Sequence, residues 1–286
     1  MTPSAPAAVG VLGGGRMGAG IAHAFLLAGS HVTVVERDDA SAAAASARVM
    51  DAVAASIARG TASDDQASYA ARLTTGTDVA AFAACGLVVE AVPEDVGLKI
   101  DALTRAEAAM AADAALATNT SSISIDELAA VLERPQHLLG MHFFNPVPAS
   151  TLVEIVRGAQ TAPDLIDDAR GWVTAIDKTP IVVADAPGFA SSRLGLTLGL
   201  EAIRMLESGV ASAEDIDAAM TLGYKHPIGP LKLTDLVGLD VRLGIAEYLA
   251  STLGERFEPP ALLRRMVADG DLGRKSGRGF YTWDAQ

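Results

Sequence analysis

The sequence predicts an α/β protein in which a mostly parallel sheet domain, residues 1–185, precedes an all-helical domain, residues 186–286. Two observations predict this. Up to residue 184, short β-type apolar runs alternate with helix-forming stretches, as when parallel strands are joined by helices that cover both faces of a sheet. Beyond Asp185-Ala186-Pro187-Gly188 only helical periodicity remains. A chain of 286 residues is long enough to bury two cores.

The elements follow in order. An apolar strand at 8–12 leads into a helix at 16–28 closed by Gly29, and a second strand spans 31–36. Residues 40–59 form an alanine-rich helix ending at Gly60; its run at 42–47 keeps helix propensity and does not read as disorder. A strand at 87–91, a helix from about 94 to 110 and a strand at 115–118 come next. Strands near 138–142 and 152–156, a helix at 163–176 and a strand at 181–184 complete the first domain. In the second, helices are expected at 189–208, 212–222, 231–252 and 259–269, separated by Gly and Pro. Ser212 with Asp215 opens one of them as a capping box, with Asp in place of the usual Glu or Gln. No internal repeat is visible.

Composition excludes several function classes. With 22 basic and 35 acidic residues the net charge is −13, and only Arg274-Lys275-Ser276-Gly277-Arg278 is locally basic, so nucleic acid is not an expected partner. An anionic substrate would have to be held by a few local cations. Half the residues are apolar, but in short runs that do not read as membrane spans. Residues 1–7 read as a frayed leader without the charge or apolar core of a secretion signal. The lone Cys85 excludes a disulfide framework and a cysteine zinc site; beside Leu87-Val88-Val89 it reads as a small buried thiol. No metal is expected, and the compartment reads as cytoplasmic.

Three motifs carry chemistry. Gly13-x-Gly15-x-x-Gly18 follows a strand and opens a helix, the context that a Rossmann-type dinucleotide turn needs. The first glycine permits the turn, the second lets backbone approach a pyrophosphate, and the third lets helix and strand pack closely, with the helix N-terminus facing the phosphates. Glu36 ends the next strand, where its carboxylate can accept a ribose 2′-hydroxyl and repel a 2′-phosphate, so the expected cofactor is NAD; Arg37 is the group that would serve NADP instead. Asn119-Thr120-Ser121-Ser122 ends another strand, where ligands bind in open α/β sheets, although Ser121 could equally shape the turn before a helix capped by Ser124 or Asp126. His142, flanked by aromatics and followed by Glu154, has what a general base needs: a carboxylate to fix the tautomer and balance the imidazolium. A satisfied core histidine is the alternative for that segment taken alone.

With these motifs in place, the chain resembles the L-3-hydroxyacyl-CoA dehydrogenase family, and in length and layout the short bacterial 3-hydroxybutyryl-CoA dehydrogenases. The resemblance runs from about residue 7 to residue 283. It rests on the glycine motif, Val89-Glu90-Ala91-Val92-Pro93-Glu94, Asn119-Thr120-Ser121-Ser122, His142-Phe143-Phe144-Asn145-Pro146-Val147-Pro148 and Leu152-Val153-Glu154. Further along it rests on Pro187-Gly188-Phe189, Glu214-Asp215-Ile216-Asp217, Gly229-Pro230 and Gly277-x-Gly279-Phe280-Tyr281.

The resemblance implies NAD-dependent oxidation of a short-chain L-3-hydroxyacyl-CoA, such as 3-hydroxybutyryl-CoA, or the reverse reaction in fatty acid metabolism. It makes His142 the base, Glu154 its partner and Ser121 a hydrogen-bond partner of the substrate's 3-oxygen. It places Gly13, Gly15, Arg16, Met17, Gly18, Glu36, Glu94, Lys99, Asn145 and Lys275 against the cofactor. Read without it, Glu94 and Lys99 are a solvated helix start and Lys275 a tail charge. It also implies a homodimer formed through the helical domains.

Two departures bear on the substrate. Ser192 stands where the family has asparagine; serine still donates a hydrogen bond but reaches less far. Helix 40–59 lacks the family's lysines for coenzyme A and keeps only Arg48 and Arg59, of which Arg59 is taken as substrate-binding. The alternative substrates are therefore other 3-hydroxyacyl groups: carrier-protein-bound, dicarboxylic or free acids. A nucleotide-sensing or structural protein on the same fold is the rival of a different class, and the intact His142 and Glu154 argue against it.

Overall fold

The computed structural model describes residues 4–284. By its internal contacts the chain divides into two compact units, Met1–Asp185 and Ala186–Gln286.

The first unit holds one eight-stranded sheet made of β1 (Ala8–Leu12), β2 (His31–Val35), β3 (Leu73–Gly76), β4 (Leu87–Glu90), β5 (Ala115–Thr118), β6 (Leu138–Phe143), β7 (Leu152–Arg157) and β8 (Thr179–Ala184). Its order is β3-β2-β1-β4-β5-β6-β7-β8, and every neighbouring pair is parallel except β6–β7. The chain builds outward from β1 to β3, then returns to the other side of β1 with β4. That reversal opens a crevice at the carboxyl ends of β1 and β4, where ligands bind in such sheets. β4, β5 and β6 are buried throughout, which is why apolar residues dominate them.

Six helices flank the sheet: α1 (Arg16–Leu27), α2 (Asp39–Ala58), α3 (Gln66–Ala70), α4 (Val96–Ala109), α5 (Ile125–Ala129) and α6 (Pro163–Ala175). Asp38, Asp65, Asp95 and Ser124 cap α2, α3, α4 and α5 by accepting backbone N–H bonds. Only α1, entered from Gly15, and α6, entered by Pro163, lack a side-chain cap. The core between helices and sheet is aliphatic, with Val9, Val11, Ile21, Val34, Val89, Met141 and Ile155 at its centre. Cys85 is buried, and burial pushes its thiol up.

The second unit is helical: α7 (Ser191–Glu207), α8 (Ala213–Ala218), α9 (Pro230–Val237), α10 (Leu239–Leu253) and α11 (Ala261–Ala268). Its core gathers Leu196, Leu200, Ile203, Leu231, Leu239, Leu249 and Leu263. Ser212 caps α8 through Asp215 N at 3.1 Å. The C-terminal segment is fastened by Asp235, which accepts Phe280 N, Tyr281 N and Trp283 Nε1 at 2.8–2.9 Å.

The sequence reading differs from this structure at four places. β3, α3 and a 3-10 turn at Val79–Ala84 lie where no element was expected; β3 is four residues long, partly exposed and without an apolar run. The helix expected at 231–252 breaks into α9 and α10 at Gly238, whose φ of 105° no helix accommodates. The strand expected at 181–184 begins at Thr179 and includes Pro180, which an edge strand tolerates. Residues 5–7 are not frayed: Ala5 packs on the core and Ser30 Oγ donates to Pro6 O at 2.7 Å, while residues 1–3 lie outside the described residues. Among the described residues no helix is long and apolar enough to cross a membrane, and no cluster of His, Cys, Asp or Glu could hold a metal ion.

Candidate active site

The crevice at β1 and β4 is a groove of about 1010 Å³, bordered by Gly13, Gly15, Arg16, Met17, Glu36, Arg48, Glu94, Asn119 and Ser121. Its floor is the glycine turn. Gly13 has φ 95° and donates to Val35 O at 2.9 Å; a Cβ on Gly18 would lie 1.8 Å from Gly13 O, so α1 sits against the turn only because the residue is glycine. Gly14, outside the motif, is as constrained: a Cβ there would lie 2.3 Å from Ala45 Cβ on α2. At Gly15, by contrast, a Cβ would meet nothing within 4 Å, and the first turn of α1 carries no acidic residue. No carboxylate in the first turn would repel an anion, and nothing crowds Gly15 on its Cβ side, which suits a pyrophosphate at this helix start.

Glu36 lies at the end of β2 with Oε1 accepting Gly14 N at 2.6 Å, so its carboxylate borders the turn. Arg37 turns outward to Asp38 at 3.0 Å. Arg48 Nη1 donates to Gly14 O at 3.2 Å, a groove contact that the sequence reading did not assign. Glycine turn, open helix start and ribose-side carboxylate together fit a dinucleotide.

The opposite wall is organised by two carboxylates. Glu94 Oε1 accepts Thr120 Oγ1, Ser121 N and Ser122 N at 2.7–3.0 Å, which fixes the turn carrying Ser121. Of Ser124 and Asp126, it is Ser124 that caps the helix that follows. Beneath Glu94 lies Lys99, which is not solvated: it is 1% exposed, with Nζ 2.8 Å and 3.0 Å from the two oxygens of Glu90 and 3.2 Å from Val92 O. Its long stem carries the ammonium under the turn to a carboxylate that the sequence reading had passed over. Glu90 also accepts Val92 N and Thr118 Oγ1, both at 2.6 Å; burial pushes its carboxyl above the usual range, against the pull of Lys99. A charged residue ending the apolar run Leu87-Val88-Val89 was the available signal for Glu90.

His142 and Glu154 face each other directly across the antiparallel pair β6–β7. Side chains so placed are within hydrogen-bond reach, and Nδ1 lies 2.8 Å from Glu154 Oε2, with His142 5% and Glu154 0% exposed. The twelve-residue separation is thus a strand register. With Nδ1–H held by the carboxylate, Nε2 is the nitrogen left with a lone pair. The Phe144 ring lies 4.5 Å from the imidazole, and Asn119 Oδ1 accepts Phe143 N at 2.9 Å, linking the base's strand to the groove. Asn145 follows at an exposed position.

A second cavity of about 760 Å³ lies between α1, the end of α2 and the segment after β6. Arg59 borders it, three turns along α2 from Arg48, together with His23, Ser56, Thr61, Pro146 and Lys178. His23 Nε2 lies 2.9 Å from Ser56 Oγ. Burial first, then Arg59 and Lys178, push His23 down to about 4. Lys178 donates to Val147 O at 2.7 Å and Ser150 O at 2.5 Å, and burial lowers its ammonium below the usual range. Arg59 and Lys178 place two cations on this cavity, which Asp177 also borders.

Two residues of the sequence reading belong to the helical unit. Ser192 is half-buried in the first turn of α7, and Lys275 Nζ bonds Asp240 Oδ2 at 2.5 Å.

Comparison with known proteins agrees over nearly the whole chain. The family profile of the 3-hydroxyacyl-CoA dehydrogenase NAD binding domain matches residues 8–186, and that of the 3-hydroxyacyl-CoA dehydrogenase C-terminal domain matches residues 188–283. A 3-hydroxybutyryl-CoA dehydrogenase of Mycobacterium tuberculosis is 41% identical over 279 residues, covering 96% of this chain and 98% of its own. A probable 3-hydroxybutyryl-CoA dehydrogenase of Bacillus subtilis is 38% identical over 276 residues, 96% of each chain. The crystal structure of (S)-3-hydroxybutyryl-CoA dehydrogenase from Ralstonia eutropha superposes with a TM-score of 0.93 at 39% identity, covering 98% of this chain and 100% of that one. The chain belongs to the 3-hydroxyacyl-CoA dehydrogenase family.

Proposed function

We propose that this NAD-dependent oxidoreductase converts a short-chain L-3-hydroxyacyl-CoA, such as 3-hydroxybutyryl-CoA, to the 3-oxoacyl-CoA, and the reverse, with His142 as the base. The buried 2.8 Å pairing of His142 with Glu154 carries this reading. A carboxylate there holds the Nδ1–H tautomer and leaves Nε2 to take the proton of the 3-hydroxyl. Bound NAD+ supplies the hydride acceptor. Glu154 balances the imidazolium as it forms; in reduction the same imidazolium returns the proton to the 3-oxo group. Ser121 and Ser192 orient the reacting oxygen, Ser121 on the turn that Glu94 fixes.

For the cofactor, Glu36 accepts the ribose 2′-hydroxyl, the backbone of Gly13–Gly18 with Arg16 and Met17 receives the pyrophosphate, and Glu94, Asn145 and Lys275 complete the contacts. Lys99 acts from beneath, keeping Glu90 and Glu94 in place. Arg59, with Lys178 across the second cavity, takes the anionic handle of coenzyme A in place of the absent lysines. The helical unit exposes Leu194, Leu198, Val237 and Val241, apolar positions suited to a homodimer contact. The buried single thiol and the absence of any disulfide requirement suit the cytoplasm, and the reaction suits fatty acid metabolism.

The test is a panel of 3-hydroxyacyl thioesters on coenzyme A, on pantetheine and on acyl carrier protein, together with the free acids, read at the absorbance of reduced nicotinamide. Turnover highest on short coenzyme A thioesters is the expected result. Turnover confined to carrier-protein thioesters or free acids would overturn the substrate reading; none with any of them would overturn the reaction.

A further inference from the structure

Four arginines border the dinucleotide groove: Arg16, Arg37, Arg48 and Arg105. Two are answered by neighbours, Arg37 by Asp38 at 3.0 Å and Arg105 by Asp101 at 3.2 Å. Among the described residues, Arg16 and Arg48 form no ion pair with a carboxylate. Arg16 opens α1, where the pyrophosphate is received. Arg48 stands across the turn, on α2, with its side chain exposed.

The packing of α2 on the glycine turn brings Arg48 there. Ser41, Ala44 and Arg48 fall at i, i+3 and i+7 and form the α2 wall of the groove. Helix and turn approach closely because Gly14 has no side chain: a Cβ there would lie 2.3 Å from Ala45 Cβ. Arg48, three residues past Ala45, donates from Nη1 to Gly14 O at 3.2 Å. Glu36 Oε1 accepts the N–H of the same residue at 2.6 Å. Gly14 is thus gripped on one side by the ribose carboxylate and on the other by a guanidinium.

This position has a consequence for the cofactor. With the ribose at Glu36 and the pyrophosphate at the helix start after Gly15, the phosphate attached to that ribose passes Gly14. A bare carbonyl oxygen beside its path would repel it, and the guanidinium over that oxygen replaces repulsion by attraction. Arginine carries five N–H donors in a planar fork that matches phosphate, and Gly14 takes one of them. In a chain of net charge −13, an anionic cofactor depends on such local cations.

We propose that Arg48 binds the adenosine-side phosphate of NAD, and so serves the cofactor and not coenzyme A. This rests on the placement of the ribose at Glu36 and of the pyrophosphate at the glycine turn.

The experiment measures binding to the enzyme without substrate. NADH is titrated by its fluorescence, and AMP and adenosine are titrated as competitors, on the wild type, Arg48→Met, Arg48→Lys and Glu36→Ala. Arg48→Met should weaken NADH and AMP alike by roughly fivefold to thirtyfold, the worth of a hydrogen bond between charged groups discounted for an exposed side chain. Adenosine, which has no phosphate, should bind Arg48→Met as it binds the wild type. Arg48→Lys returns the charge without the fork and should recover part of the AMP affinity. Equal weakening of adenosine and AMP in Arg48→Met would make the arginine a brace of the turn and overturn the proposal. Unchanged AMP and NADH affinities in that variant would overturn it too, and a raised KM for 3-hydroxybutyryl-CoA alongside them would give Arg48 to coenzyme A. Glu36→Ala should weaken adenosine as well as AMP; if it weakens neither, the placement of the ribose falls, and this inference with it, whatever Arg48→Met does.

Discussion

Replacing Glu154 with Gln isolates the charge behind the proposed base. The pair is buried, with Nδ1 and Oε2 2.8 Å apart. Gln keeps the shape and can still accept the Nδ1–H bond, so the tautomer survives. What disappears is the attraction between carboxylate and imidazolium. For unit charges about 4 Å apart at an effective dielectric constant of about 20, that attraction is about 4 kcal/mol, equivalent to about a thousandfold in rate. Relaxation of the site and the retained hydrogen bond reduce the effect. Glu154→Gln should therefore lower kcat by roughly tenfold to a thousandfold. Because Glu154 does not border the dinucleotide groove, the Kd for NAD should stay near wild type. Steady-state rates with saturating 3-hydroxybutyryl-CoA and NAD, alongside NAD titration by fluorescence, give both numbers. A kcat within about threefold of wild type would refute the argument, since a rate change that small is well below even a weak ion pair in a buried site.

Three further outcomes follow from the structure. Ser192→Ala should remove one neutral hydrogen bond to the reacting oxygen, about 0.5–1.5 kcal/mol or up to roughly tenfold in kcat/KM, while Ser192→Asn should be tolerated; unchanged kinetics in both would take Ser192 out of the site. The wild type should prefer NAD to NADP, and Glu36→Ala should narrow that preference, because burying a 2′-phosphate against a carboxylate is costly; a wild-type preference for NADP would make Arg37 the selector. His23 titrates near 4 in the fold against an ordinary 6.5, so on acidification the unfolded chain takes up the proton first. Stability should therefore fall between about pH 6.5 and pH 4, by at most roughly 3 kcal/mol. His23→Gln, which can still bond Ser56, should flatten that slope in thermal melts, and an unchanged slope would assign it to other groups.

The legible parts of the sequence were those where local pattern and tertiary role coincide. β1, β4 and β5 are mostly apolar because both faces of the sheet are covered, and the turn announces itself because Gly13 has a positive φ and close packing at Gly14 and Gly18 leaves no room for a Cβ. The pairing of His142 with Glu154 was readable as two residues, but its cause, an antiparallel register between β6 and β7, was not. β3 escaped notice because a short edge strand needs no apolar alternation. Without the family resemblance, nothing in the sequence distinguishes Lys99 from an ordinary solvated lysine at a helix start; only the fold brings it onto Glu90. The sequence favours Arg59 over Arg48 for the substrate, but only the fold separates them, Arg48 onto the groove and Arg59 onto the second cavity.

The central claim is that His142 removes the proton from the 3-hydroxyl, and His142→Gln tests it most directly. With 3-hydroxybutyryl-CoA and NAD both saturating, kcat should drop by roughly a hundredfold to ten-thousandfold, the range lost with a positioned general base, while NAD binding remains near wild type. Near-normal turnover in His142→Gln would make the histidine structural and contradict the mechanism.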